Sequence, residues 1–153
     1  AGPDRAYDGG AADEDFAVSA MLLAEAEDLY TNLQKGQATK YVALGEGGKT
    51  QQLHDELWAE SGKIALAKHF RCLERMAKPA DAVGPARFTS GGATCGEMYL
   101  WGMLRQIALL KPDVFAPFPK LRAFYERILE HPRTKEVLDG TSPMGTMDAY
   151  FVK

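Results

Sequence analysis

The chain has 153 residues, a formal net charge of −3 and a pI near 5.6, which gives no electrostatic basis for binding nucleic acid. A composition of 46% hydrophobic and 25% charged residues is that of one ordinary globular domain. No apolar run approaches the roughly 20 residues of a membrane span. The best candidate, Phe16 to Ala24, is flanked by Asp15 and Glu25.

Residues 1–12 are rich in glycine and polar groups and read as an extended lead-in. From Asp13 to about Gln34, an acidic first turn of Asp13, Glu14 and Asp15 precedes Phe16, Ala20 and Leu23 at helical spacing, and the helix should stop near Gly36. Gly45, Gly47 and Gly48 mark a turn. Leu53, Leu57, Ile64, Leu66, Phe70, Leu73 and Ala77 then predict one long helix to about Lys78, with Gly62 as a bend. Residues 79–93 hold two prolines and three glycines and form a surface connection anchored by Phe88.

The central helix follows. Thr94 with Glu97 three residues on is a capping box, and Pro112 terminates the run. Its only strongly polar side chains past the first turn are Arg105 and Gln106, so it should be buried on several sides. At about 1.5 Å per residue it makes a rod of roughly 25 Å. Leu121, Phe124, Tyr125, Ile128 and Leu129 give an amphipathic helix, and Pro132 opens a short one closed by Gly140. Residues 141–153 read as a tail whose Tyr150 and Phe151 suit docking. The expected architecture is an all-α, five-helix bundle over 13–140.

The run GEGGKT at 45–50 ends like a phosphate-binding loop, but Ala43 occupies the place where that motif needs its first glycine, so a helix-to-helix turn is expected. His54, His69 and His131 lack metal-ligand spacing, and no metal is expected. Cys72 and Cys95 are too few for a disulfide scaffold and read as reduced packing residues. Cys95 near a helix N-terminus has a route to a reactive thiolate, which the adjacent Glu97 opposes.

Four stretches carry a family resemblance: AMLLAEAEDLYTNL in the first helix, HFRCLERM, RFTSGGATCGEMYLW, and KPDVFAPFPKLRAFYERILEHPRTKEVL. In order and spacing they resemble the C-terminal helical domain of cytosolic glutathione S-transferases, nearest the sigma, mu, alpha and pi branch. Two departures stand out. The family usually has Asp where this chain has Glu97, which keeps the capping box but puts the tightly buried geometry in doubt, and Ala20 stands where relatives often carry an acid.

In that family the thiol-activating residue and most glutathione contacts belong to a thioredoxin-like domain ahead of the helices. No strand-rich segment precedes Asp13 in this sequence, so the chain as given is expected to have no catalytic residue and no cofactor. Asp28 matches the acid that reaches across a dimer to the amino group of glutathione. It also reads as one of several solvated acids beside Glu25 and Glu27. Tyr30, Tyr99 and Met103 match positions lining the hydrophobic-substrate pocket; they also read as helix core, Tyr99 and Met103 more readily than Tyr30, which neighbours polar residues on a less buried helix.

Two functions follow from the resemblance. One is a non-catalytic helical module, an accessory or scaffolding subunit whose protein partner covers the face left by the thioredoxin-like domain. The other is the C-terminal, substrate-pocket and dimerisation half of an active transferase or isomerase, which would be a homodimer using glutathione. Neither involves nucleic acid or a membrane span. The expected location is intracellular, cytoplasmic or organellar, soluble or peripherally attached, and the absent initiator methionine suits a chain whose upstream part was processed.

Overall fold

A computed structural model describes residues 13–36, 47–82, 84–91 and 94–143, with residues 47–50 as backbone only. The expected lead-in and the Tyr150–Phe151 tail lie outside the described residues. Six helices follow in order: α1 (Asp13–Gly36), α2 (Gly47–Trp58), α3 (Leu66–Met76), α4 (Cys95–Leu110), α5 (Pro119–Leu129) and α6 (Pro132–Leu138). No strand occurs among the described residues, and the one isolated bridge joins Lys78 to Arg87. The all-α reading holds.

The count is six because the long helix expected from Leu53 to Lys78 is two helices. The apolar stripe changes side between Ile64 and Leu66, only two residues apart, and Gly62 adopts φ 143°, a conformation open to glycine and costly for other residues. Glu56 Oε1 accepts from the Lys63 amide at 2.5 Å and the Ile64 amide at 3.3 Å, taking up donors that a continuous helix would have used internally. Upstream, Gly47 and Gly48 open α2 instead of lying in the turn before it.

The core is built where helical stripes meet. Leu22, Ala26, Leu29 and Leu33 of α1 lie against Leu100, Leu104 and Ile107 of α4, the most extensively packed helix pair. Phe70 of α3 packs edge-on against Phe115 and Phe118 at 5.5 and 5.6 Å, and Phe88 meets Phe124 of α5 at 4.9 Å. Phe88 is buried as expected, and so are its loop neighbours Ala86, Arg87 and Thr89.

The approach of α1 to α4 depends on Gly96. Its amide donates to Ser19 Oγ at 3.0 Å, and a Cβ there would stand 2.1 Å from the Ser19 carbonyl oxygen. The helix axes come this close only because a hydrogen atom replaces a side chain. At the other end of the bundle α5 has no side-chain cap of its own. The Glu74 carboxylate of α3 caps it instead, accepting from the Lys120 amide at 3.0 Å and the Leu121 amide at 2.8 Å.

Candidate functional site

The capping box at α4 forms as its sequence demands and does more. Glu97 is fully buried and its amide donates to Thr94 Oγ1 at 3.3 Å. Its carboxylate accepts from the Thr94 amide at 3.2 Å, the Phe88 amide at 2.7 Å, the Thr89 amide at 3.2 Å and Thr89 Oγ1 at 2.7 Å. The tight geometry that the longer acid put in doubt is present. One buried anion therefore holds both the helix N-terminus and the loop before it, with its charge dispersed over hydrogen bonds. Asp15 repeats the device from α1, accepting from the Ser90 amide at 2.9 Å and from the Ser90 hydroxyl. Arg127 lies near Glu97; burial lowers its pKa, while attraction to Glu97 raises it and repulsion from Arg87 lowers it further.

The buried stripe of α1 has two flanks. Phe16, Leu23, Glu27 and Tyr30 run along one, by helical geometry, and Val18, Met21, Glu25, Asp28 and Asn32 along the other. The first flank borders α4, whose Tyr99 hydroxyl donates to Glu27. That bond raises the Tyr99 pKa above its ordinary value, because ionising the phenol would lose the donor; slight burial and the charges of Glu27 and Tyr30 add to it. Tyr30 and Tyr99 are thus brought together, with Met103 one turn further along α4. Tyr30 and Met103 are half-buried, whereas Tyr99 is 42% exposed and is no core residue.

This face departs from the burial expected of α4. Phe16 and Leu23 on the first flank of α1, Met21 on its second flank, and Met98 and Tyr99 of α4 are the large exposed hydrophobics among the described residues. Helix α4 is apolar nearly all round, yet α1 and α5 cover only part of it, so Met98 and Tyr99 face outward. Beside Met98 the surface sinks into an apolar groove of about 290 Å³ lined by Trp101, Gly102, Ile128, Val137 and Leu138 together with Arg133 and Thr134.

Asp28 lies on the second flank, away from the tyrosines. It is exposed, and its carboxylate neighbours Glu25 and the buried His69 of α3. His69 Nδ1 is 2.7 Å from Glu25 Oε1, and its Nε2 is 3.1 Å from Asn32 Nδ2. Sequence reasoning placed no function on His69, because its partners lie 37 and 44 residues away. Both cysteines are free; Cys72 is half-buried and Cys95 is exposed. No helix among the described residues is long and apolar enough to cross a membrane.

Comparison with known proteins gives one family. The sequence model described as "Glutathione S-transferase, C-terminal domain" matches residues 45–140, more than half of the chain and all of α2 to α6. Helix α1, which carries Asp28 and Tyr30, lies outside the matched residues. The comparison with curated proteins finds no match. With its all-helical order and the matched span in agreement, the chain belongs to the glutathione S-transferase C-terminal domain family.

Proposed function

We propose that the chain is a non-catalytic helical module that works by docking other proteins, as an accessory or scaffolding subunit. The observation that carries this reading is the outward apolar face of α1 and α4, where Phe16, Leu23, Met98 and Tyr99 are all exposed. Exposed large side chains on these two packed helices, with an apolar groove beside Met98, are the kind of surface that protein partners cover. The occupant is a folded domain with a complementary apolar surface, the role that a thioredoxin-like domain plays for this helical unit elsewhere in the family. Phenyl, thioether and aliphatic groups supply binding surface rather than acid–base chemistry.

The test is purification of the native protein from its source without denaturation. A 16.8 kDa chain in a stoichiometric complex, released by Leu23→Glu with Met98→Lys, is the expected result. A clean monomer with no affinity for any partner would overturn the proposal.

The convergence of Tyr30 and Tyr99 around Glu27, with Met103 a turn away, favours a second reading. Here the chain is the substrate-pocket half of an active transferase or isomerase, and Asp28 meets glutathione on a neighbouring subunit. Asp28→Ala in the intact protein should then raise the Michaelis constant for glutathione. An unchanged constant would remove that role.

A further inference from the structure

The second flank of α1 places three metal-ligating groups together. Glu25 and Asp28 are one turn apart on α1, and His69 reaches them from α3. One carboxylate oxygen from each acid and one ring nitrogen of His69 lie within 4.8 Å of one another. The ring is buried and held from both sides. Glu25 is an acceptor, so Nδ1 carries the ring proton toward it at 2.7 Å, and Nε2 accepts from the Asn32 amide at 3.1 Å. Glu25 is half-buried and Asp28 is exposed, so the point where the donors converge opens to water.

The geometry points to a binding site for a divalent transition-metal ion, zinc first, ligated by Glu25, Asp28 and His69 with water completing the shell. An imidazole with two carboxylates suits zinc better than calcium or magnesium, which prefer oxygen donors alone. Two carboxylates also neutralise the charge of the ion in a partly desolvated place. Tetrahedral zinc with ligands at about 2.0–2.1 Å sets neighbouring donor atoms about 3.3 Å apart. The present separations, from 2.7 Å to at most 4.8 Å, bracket that value, so side-chain rotations suffice to close the shell.

The proton balance is simple. The ion takes Nδ1, the single ring proton moves through water to Nε2, and Asn32 turns its amide so that Oδ1 accepts it. Asn32 then orients the ligating ring, as groups behind metal-bound histidines commonly do. The set spans two helices, which is why spacing along the chain does not reveal it.

Zinc chloride titrated calorimetrically into the full chain tests the site. The expected result is one ion per chain, weakened about tenfold or more by His69→Gln and by Asp28→Asn, with His131→Gln unchanged. Asp28 is exposed, so Asp28→Asn should keep the parent circular dichroism and separates ligand loss from unfolding. Long-range proton–nitrogen spectra should show the His69 ring proton moving from Nδ1 to Nε2 as zinc is added. No zinc uptake, or uptake equally strong in Asp28→Asn, would overturn the proposal.

Discussion

The Gly96 amide donates to Ser19 Oγ at 3.0 Å, and the Ser19 carbonyl oxygen fills the place that a Gly96 side chain would need. A Cβ at 2.1 Å from backbone oxygen cannot be relieved by a rotamer change, so Gly96→Ala must push α1 and α4 apart. The expected loss is about 1–3 kcal/mol. Gly102, on the same helix, has nothing within 4 Å of the corresponding position. Gly102→Ala should be neutral or stabilise by up to about 1 kcal/mol. Urea unfolding of the two variants measures the contrast, and equal effects would refute the close-approach argument.

Glu97→Gln replaces an acceptor with a donor facing the amides of Phe88, Thr89 and Thr94. It should cost about 2–4 kcal/mol, since buried donors lose a charged partner. Glu97→Asp, one methylene shorter, should keep the Thr94 contacts better than those to Phe88 and Thr89. Amide exchange at 88–89 reads the difference: it should rise in both variants while the start of α4 stays protected only in Glu97→Asp.

Gly62→Ala tests the break between α2 and α3. A Cβ there would lie 2.6 Å from Glu56 Cγ, at a φ that side-chain-bearing residues rarely adopt. The substitution should destabilise by about 1–3 kcal/mol and speed exchange at the Lys63 and Ile64 amides that Glu56 caps. Unchanged exchange would show that Glu56 does not depend on the glycine.

Tyr99 should titrate above the ordinary tyrosine range, because its hydroxyl donates to Glu27. A folded-state pKa raised above the unfolded one means that the bond's contribution is complete below about pH 10 and is lost as pH rises through the folded value. Glu27→Gln should bring the phenol back toward its usual range. An NMR titration assigned with Tyr99→Phe checks this, and a phenol indifferent to Glu27→Gln would contradict it.

Much of the fold was legible because its signals are local. Thr94 and Glu97 announce the start of α4, Pro132 sets the start of α6, and amphipathic spacing from Leu121 to Leu129 identifies α5. The break after Trp58 did leave a trace, because Leu66 follows Ile64 by two residues, about 200° around a helix, so the apolar stripe of Leu53, Leu57 and Ile64 does not continue into that of Leu66, Phe70, Leu73 and Ala77. Gly62 and Glu56 end the helix through conformation and capping. The exposure of Met98 and Tyr99 was hidden. An apolar helix advertises its affinity for cover, and only the packed bundle shows which side lacks it. Of the candidate residues, Tyr30 and Tyr99 meet as neighbours, whereas Asp28 belongs to the opposite flank with His69, a contact set by how α3 docks on α1.

The cap that Glu74 places on α5 bears on how the chain folds. The Lys120 and Leu121 amides find their acceptor 46 and 47 residues upstream, so α5 gains a finished N-terminus only after α3 has come alongside. A helix of 11 residues is marginal by itself in water. Its formation should therefore coincide with closure of that long loop, and Glu74→Ala should slow refolding more than it speeds unfolding if this closure belongs to the folding nucleus.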